Sequence, residues 1–294
     1  MSDINELNQQ ESSLNVIDEF VSAYQRLTIY QMQQRRVAVL NNRVYMNGLL
    51  DAYIDVKKSA TAFFKGDDKK NNKKALKFST LAKNGKSAAV FLSFETKFSA
   101  ETVRRTFDYF AESVEQQNDI DLVITGVRGK LLFNQHFPKN KEFTYYDLKE
   151  SDLTNDIQIP LIKHLLSYEH VEVYHPFFVS ILQQKPISNN ISGDIPLDKE
   201  MLIDRQKRNF LFEPSRQQIT HFFEIQIFAA LFSQKLKEAH LATLASRITT
   251  LQSTEQNLEQ ERAKVLLKKT KLVRALDNKK QLNRLAGMYF WHRA

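Results

Sequence analysis

The sequence predicts an α/β fold in which long N-terminal and C-terminal helices pair as an antiparallel coiled coil, with a small α/β domain inserted between them. Three observations support this prediction. All six prolines of the 294-residue chain lie between Pro138 and Pro214, so both ends lack the commonest helix breaker. Apolar residues recur at coiled-coil spacing in both ends. Between them, short apolar runs of strand type alternate with helical patterns.

The N-terminal helix is predicted from Ile4 to about Phe64, within a first domain of residues 1–66. Its seam has Leu7, Leu14 and Val21 seven residues apart, with Ile17 and Tyr24 interleaved at steps of three and four: a narrow coiled-coil stripe. About sixty helical residues would span roughly 90 Å, which no compact globule accommodates. Residues 67–84 are lysine-rich, and we interpret them as an exposed linker because they begin with a polar, charged run.

The middle of the chain, residues 85–208, predicts a small Rossmann-like α/β domain with at least partly parallel strands. Helical patterns occupy residues 99–117 and 160–168. Gly126 and Gly129 are interpreted as a turn between strands. The predicted strands are SAAVFLSF (87–94), IDLVITG (120–126), GKLLFNQ (129–135) and HVEVYHPFFVSIL (170–182).

The C-terminal helix is predicted from Ser215 to about Tyr289, within a domain of residues 209–294. From Leu241 to Leu276 its seam alternates steps of three and four through positions 244, 248, 251, 255, 258, 262, 265, 269 and 272. Charged residues interrupt the seam at Glu255, Arg262 and Lys269. Such interruptions fit a coil that also presents polar surface to a partner, and they fit a generic, marginal coiled coil equally well.

Composition excludes several functions. The chain has no cysteine, so disulfides, zinc thiolates and a cysteine nucleophile are excluded. Its polar, acidic start predicts no secretory signal, and no run approaches the roughly 18 apolar residues of a membrane span, so we expect a soluble protein. The net charge of +8 admits nucleic acid, an anionic membrane or an acidic protein as partner. The lysine-rich runs lack interleaved aromatic residues, and we therefore expect no nucleic-acid partner.

Catalytic and metal-binding patterns are weak. The seven histidines show no i, i+4 metal spacing on one helix, and His170 and His175 lie five apart on one predicted strand, so they point to opposite faces. GVRGK (126–130) is too short for a phosphate loop and lacks its Ser or Thr. We therefore expect no catalytic residue, no metal, no cofactor and no small-molecule substrate. A Rossmann-like enzyme stays open as an alternative.

Four stretches together carry a family pattern. FLFEP (210–214) precedes the last predicted helix. The others are LVITGVRGKLLF (122–133) and EVYHPFFVSILQQKPISNNISGDIPL (172–197), the latter with an aromatic residue, a polar turn and proline before a final strand. Within the last helix, a glutamine, apolar residues and a glutamate follow at fixed spacing: Gln226, Ile227, Phe228, Ala230, Leu231 and Glu238.

In this order and spacing, the four stretches resemble the gamma subunit of F-type ATP synthases over nearly the whole chain. That family has a Tyr-Leu-Tyr/Phe-Glu-Pro signature where this chain has FLFEP. The chain departs from the family in LSFETKFSAE (92–101), which has no glycine, in LATLA (241–245), and in DNKKQLNRL (277–285), which carries Lys279 and Lys280 where the family is acidic. These departures do not affect the expectation that the chain acts, like that subunit, as a central shaft. They put in question an epsilon-type subunit and a membrane rotor as partners.

The resemblance implies a shaft that catalyses nothing itself and turns inside a ring of alternating alpha- and beta-type subunits. It implies a cytoplasmic location, in a complex on the inner face of the cell membrane. An epsilon-type subunit and a membrane rotor, or another load, would attach at the α/β domain. The implied ring contacts, with the C-terminal GMYFWHRA (287–294) in an apolar sleeve rather than on a membrane, are Ile17, Val21, Tyr24, Leu272, Arg274, Leu276, Lys279, Lys280, Leu282, Leu285, Met288, Tyr289, Phe290 and Trp291.

Two functions within the family stay open. One is the ordinary ATP synthase, which exchanges a proton gradient with ATP. The other is a specialised motor that only hydrolyses ATP, such as those linked to surface gliding in wall-less bacteria. Outside the family, the alternative is a scaffolding coiled coil without a ring.

Overall fold

The computed structural model describes residues 2–62, 83–94, 98–117, 119–137, 141–149, 155–191, 213 and 215–291. Its helices are α1 (Ser2–Ala62), α2 (Ala100–Glu115), α3 (Gly126–His136), α4 (Asn155–Leu166) and α5 (Arg216–Trp291). Its strands are β1 (Ser87–Phe91), β2 (Ile120–Thr125), β3 (Thr144–Tyr146), β4 (His170–Phe178) and β5 (Gln184–Asn190). The chain divides into two compact units: unit 1 comprises Met1–Tyr30 and Arg247–Ala294, and unit 2 comprises Gln31–Ser246.

The two long helices match their predicted extents. The structure gives α1 61 residues and α5 76 residues. Within the described residues, no helix combines the length and apolarity that crossing a bilayer requires. The predicted linker 67–84 lies outside the described residues except for Lys83 and Asn84, and FLFEP lies outside them except for Glu213.

A five-stranded sheet forms the centre of unit 2, in the order β3-β2-β1-β4-β5. The first four strands run parallel, and β5 pairs antiparallel with β4. Helix α2 connects β1 to β2, and α4 lies between β3 and β4 in the chain, as the crossovers between parallel strands require. The strand order turns back at β1, which gives the doubly wound arrangement of a Rossmann-like domain.

Both faces of this sheet are covered by helices, because the parallel strands alternate apolar side chains to either side. On β1, Val90 points into one core and Phe91 into the other. The Val90 core is completed by α4 and by the α5 residues Phe228, Phe232, Leu236 and Ala239. The Phe91 core is completed by α2 and α3. The long C-terminal helix is therefore also a layer of the α/β domain.

Helices α1 and α5 pack antiparallel inside unit 2. Lys237 Nζ donates a hydrogen bond to Asn42 Oδ1 at 2.9 Å, and Tyr53 Oη donates to Glu224 Oε1 at 3.4 Å. Residue numbers on α5 fall as those on α1 rise, which is the antiparallel sense. In unit 1 the pairs Glu11–Lys269 and Asp18–Arg262 follow the same rule. The predicted fold class, an antiparallel coil of terminal helices with an inserted Rossmann-like domain, is confirmed.

One predicted strand is wrong. Residues 129–135 belong to α3, which begins at Gly126 directly after β2. A short apolar run cannot distinguish strand from helix by its pattern, and here the glycines decide. Gly126 adopts φ +71°, and a Cβ there would lie 2.5 Å from the Ser93 carbonyl oxygen. Gly126 and Gly129 thus form a strand-to-helix junction held close to Ser93 rather than a turn between strands.

Candidate functional site

The seam of unit 1 is the first feature that positions a candidate interface. On α5 the predicted seam residues Leu251 and Val265 are buried, and Leu258, Leu272 and Leu276 are half-buried. On α1 a series of buried and half-buried positions advances by three and four, with half-buried Ser22 and Tyr24 beside it: Leu7, Glu11, Leu14, Asp18, Val21, Gln25 and Thr28. The two helices therefore meet through a regular heptad seam, as the sequence predicts for α5.

The seam assignment of Ile17 is wrong, since its side chain is 46% exposed. Asp18 occupies that seam position instead and lies 3.5 Å from Arg262 Nη1. An assignment based on apolar residues alone chooses the neighbouring isoleucine, because it does not anticipate a charged seam position. Ile17 consequently lies at the edge of the seam, with about half of its surface exposed.

Polar residues of α1 meet all three charged interruptions of the α5 seam. Lys269 Nζ lies 2.7 Å from Glu11 Oε2. Arg262 pairs with Asp18, and Glu255 Oε1 accepts a hydrogen bond from Ser22 Oγ at 3.3 Å. The interruptions are thus matched positions within the coil rather than surface offered to a ring.

The other two predicted contacts on α1 lie nearer the coil. Val21 is 4% exposed and packs in the seam. Tyr24 is half-buried, with the Arg247 guanidinium carbon 5.6 Å from its ring centre and Phe20 stacked on it at 6.0 Å between ring centres. The geometry assigns Val21 to holding the coil together, while part of the Tyr24 ring remains accessible.

The predicted contacts on α5 change character along the helix. Leu272 and Leu276 are half-buried in the seam. Arg274, Lys279 and Lys280 are exposed, and Lys280 Nζ lies 3.9 Å from Asp277 Oδ1. The apolar residues beyond them are also largely exposed: Leu282 at 66%, Leu285 at 62% and Met288 at 67%. The side chains of Tyr289, Phe290 and Trp291 lie outside the described residues.

Helix α1 has an exposed apolar stripe that was not predicted from the sequence. Val16, Phe20, Leu27 and Tyr30 are each between 49% and 63% exposed. With Ala23 they advance by steps of four and three, so they form a second heptad stripe on the face opposite the seam. This spacing was the signal that could have revealed the stripe. Exposed apolar stripes of this regularity are typical of a protein-binding surface.

The exposed charges of unit 1 differ between its helices. From Lys264 onward, α5 carries eight lysines and arginines and one acid, Asp277. From Ser2 to Tyr30, α1 carries five acids and one base, Arg26. Glu11 and Asp18 form ion pairs with α5. Unit 1 therefore presents a basic surface along α5 that an acidic protein surface would complement.

Unit 2 has two sets of hydrogen-bonded polar side chains, one around His175 on β4 and one around Glu238 on α5. His175 is fully buried; its Nδ1 donates to the Pro176 carbonyl oxygen, and its Nε2 lies 3.0 Å from the Asn189 side-chain amide. Burial lowers the pKa of His175. Burial would raise the pKa of Glu238, but hydrogen bonds from Gln234 and Lys235 outweigh it and lower that pKa. Arg43 Nη2 on α1 lies 3.3 Å from Glu238 Oε1.

In an α/β fold of this kind, ligands bind at the carboxyl ends of the strands beside the point where strand order turns back. Here that end of β1 leads into Phe94, whose ring lies 5.5 Å from that of His240 on α5. Ser93 Oγ accepts a hydrogen bond from the Gly129 N–H at 3.0 Å and donates to the Thr125 carbonyl oxygen. Ser93 and Phe94 at this end of β1 therefore already contact other residues of the chain. Across the described residues, no group of three or more His, Asp or Glu side chains is placed to hold a metal ion.

The fold defines a class of protein: terminal helices that pair antiparallel, with an α/β domain inserted between them. No protein-family model matches the sequence, and no curated protein matches it. Similarity is found among solved structures of mitochondrial ATP synthases.

Three chains illustrate that similarity. One belongs to the rotor of Euglena gracilis mitochondrial ATP synthase in rotational state 1; it has 12% identity and a TM-score of 0.57, and the match covers 94% of this chain and 99% of that one. Another, from the OSCP/F1/c-ring assembly of the same enzyme in rotational state 3, has 11% identity and a TM-score of 0.62, covering 99% and 95%. A third, from the central stalk and c-ring of the Tetrahymena thermophila enzyme, has 12% identity and a TM-score of 0.55, covering 80% and 99%. At these identities the similarity establishes a shared fold.

Proposed function

We propose that this chain is the non-catalytic central shaft of a rotary F-type or F-type-like ATPase. The observation that supports the proposal most is the extent of the shared fold: the match to the chain from the Euglena OSCP/F1/c-ring assembly covers 99% of this chain and 95% of that one. A match through both long helices and the inserted domain is more specific than a match to a coiled coil. The sequence motifs described above support the same assignment independently.

The proposed partners are alpha- and beta-type subunits that form a ring around the coil. The exposed residues Ile17, Leu282, Leu285 and Met288 supply apolar contact area, and Tyr289, Phe290 and Trp291 follow them at the end of α5. Arg274, Lys279 and Lys280 supply charge toward acidic segments of the ring. The missed stripe Val16, Phe20, Leu27 and Tyr30 joins this surface.

The mechanism follows from the asymmetry of this surface. An apolar stripe on α1 and a basic surface on α5 cannot make equal contacts with three identical beta-type subunits at once. Each beta-type subunit meets a different face and is biased toward a different conformation, and hence toward a different nucleotide affinity. Hydrolysis that moves each subunit through its conformations turns the shaft, and rotation in reverse drives synthesis.

The remaining parts of the proposal concern the α/β domain and the load. Residues 1–66 and 209–294 serve as the coil, residues 67–84 as a linker, and residues 85–208 as the foot that attaches an epsilon-type subunit, a membrane rotor or another load. The complex lies on the cytoplasmic face of the cell membrane. The second candidate is a specialised motor that only hydrolyses ATP. The glycine-free segment 92–101 and the lysines at 279 and 280 favour it over the ordinary synthase.

The test is assembly. The chain is co-expressed with alpha- and beta-type subunits from the same source, and we expect it to purify as one copy in an ATP-hydrolysing ring. The sole tryptophan, Trp291, reports on the end of α5, because its emission shifts to the blue in an apolar sleeve. A ring that assembles and hydrolyses ATP without this chain, leaving it as a free coiled coil, would return the scaffold alternative. Reconstitution into vesicles with a proton gradient then separates the two motors, since only the synthase makes ATP.

A further inference from the structure

The polar positions in the unit 1 seam form a matched series. On α1 they are Glu11, Asp18 and Gln25; on α5 they are Lys269, Arg262 and Glu255. Each series repeats every seven residues, once per heptad, and the two run in opposite directions. Two of the three levels are ion pairs, Glu11–Lys269 at 2.7 Å and Asp18–Arg262 at 3.5 Å. At the third level, Glu255 accepts a hydrogen bond from Ser22, one turn before Gln25.

This series distinguishes the observed register from its neighbours. A shift of one heptad in one direction sets Asp18 against Glu255, so that two acids meet. A shift in the other direction sets Glu11 against Leu276, which removes the partner of a half-buried carboxylate. Each shifted register keeps one ion pair, Glu11–Arg262 or Asp18–Lys269, whereas the observed register has two. The apolar levels at Leu14 and Val21 tolerate either shift, because leucine or valine lies opposite each of them in both cases. Charge rather than apolar packing therefore specifies the register, the role that polar seam residues commonly have in coiled coils.

Apolar cohesion in unit 1 is low for its length. Among its described residues, the buried apolar side chains are Val21, Ile248, Leu251 and Val265. Unit 2, by contrast, has two apolar cores on the faces of its sheet. The side chains of the Glu11–Lys269 pair are 36% and 31% exposed, and those of the Asp18–Arg262 pair are 27% and 46% exposed. Partly exposed pairs of this kind are screened by salt.

From these observations we propose that the unit 1 coil is an electrostatic clasp: its polar levels hold α1 and α5 together in one register, and the clasp opens as salt rises while unit 2 stays folded. The inference rests on the contacts inside unit 1 and does not depend on the proposed function. Its consequence is a coil whose pairing responds to charge, including the charge of an acidic partner that competes for Lys269 and Arg262.

The test is hydrogen exchange on the full chain, read by mass spectrometry at about 0.01 M and about 1 M NaCl, where the screening lengths are roughly 30 Å and 3 Å. We expect exchange in residues 4–28 and 251–276 to accelerate about 2- to 25-fold at high salt, because each of the two partly exposed pairs contributes a factor of about 1.4 to 5. Exchange in β1, β2 and β4 should not change. Equal acceleration in those strands would mean that the chain opens as a whole, and no acceleration in unit 1 would mean that charge does not hold the coil. Either result would overturn the proposal.

Charge reversal makes the test specific. At low salt, Glu11→Lys should accelerate exchange in unit 1 by about 5- to 30-fold, since an attraction is lost and a repulsion replaces it. Adding Lys269→Glu should return the rate to within about threefold of the unchanged chain, because coupled pairs restore each other. The matched control is Glu19→Lys, which makes the same charge change at an exposed position of α1. A reversal no stronger than this control, or a double variant that restores nothing, would show that the pair does not act as a clasp.

Discussion

The exposed leucines near the end of α5 allow the sharpest test of the shaft assignment. The change is Leu282→Gln with Leu285→Gln. Glutamine retains the length and much of the helix propensity of leucine, so α5 keeps its helix while the apolar contact is removed. Most of each leucine takes no part in the packing of unit 1, since they are 66% and 62% exposed. The free chain should therefore keep its stability, and any effect should appear on binding alone.

The expected magnitude follows from that exposure. Full burial of a leucine side chain stabilises by about 1.5–3 kcal/mol. Because roughly two thirds of each side chain is still exposed, an apolar sleeve can contribute about 1–2 kcal/mol per leucine, or about 2–4 kcal/mol for the pair. At about 1.4 kcal/mol per tenfold change, the dissociation constant from the ring should rise about 30- to 1,000-fold.

The assay is titration of the chain with alpha- and beta-type subunits at fixed salt, followed by Trp291 emission and by the ATP hydrolysis of the isolated complex. The matched control is Leu182→Gln, at a side chain that is 83% exposed in the turn between β4 and β5. We expect the control to bind the ring as the unchanged chain does. If the double variant also binds within about twofold of the unchanged chain, the end of α5 does not enter an apolar sleeve, and the reasoning from exposure fails.

Three further outcomes are expected. Lys279→Gln with Lys280→Gln should weaken ring binding at low salt and flatten its salt dependence, measured by the same titration, and an unchanged salt slope would exclude acidic ring contacts there. Burial lowers the pKa of His175, so below pH about 6.5 its imidazole takes up a proton in the unfolded chain but stays neutral in the folded chain. The free energy of unfolding, measured with denaturant, should therefore fall as pH drops below about 6.5, by up to about 1.4 kcal/mol per pH unit. His175→Gln should remove that part of the pH dependence. Gly129→Ala should destabilise unit 2 by about 1–3 kcal/mol, because its Cβ would lie 2.8 Å from Ser93 Oγ; the matched change Gly48→Ala, in the middle of α1 with nothing within 4 Å, should stabilise by about 0.5–1 kcal/mol.

The sequence predicted the long helices well because their evidence is local and repeated. A heptad pattern recurs every few residues, and the absence of proline in both ends removes the main alternative to a helix. The strands at 87–94 and 120–126 were equally easy to predict. Four of the five β1 residues are buried, so this strand is a nearly continuous apolar run in the sequence.

The errors share one physical cause, which is that a contact with a distant segment decided the local outcome. GKLLFNQ has no intrinsic preference that separates strand from helix, and its helix is fixed by the fit of Gly126 and Gly129 against Ser93, more than thirty residues earlier. Ile17 lost its seam position to Asp18 because Arg262, more than two hundred residues later, makes that carboxylate acceptable in the seam. Strand β3, with three residues, pairs only along β2 and has no pattern of its own.

The candidate site was harder to predict than the fold because its residues are recognised by their exposure, and the sequence does not show which apolar side chains stay exposed. Val16, Phe20, Leu27 and Tyr30 make a heptad stripe no weaker than the seam, yet the sequence cannot say which of two stripes on one helix meets the partner helix. In the structure, the charged residues distinguish the two stripes. Glu11 and Asp18 lie in one stripe and meet Lys269 and Arg262, whereas the other stripe has no acid to match the basic α5. A helix with two such stripes is apolar on opposite sides, so a single partner helix leaves one side in water. That imbalance is the physical reason to expect α1 and α5 to function inside a larger assembly rather than as a free coiled coil.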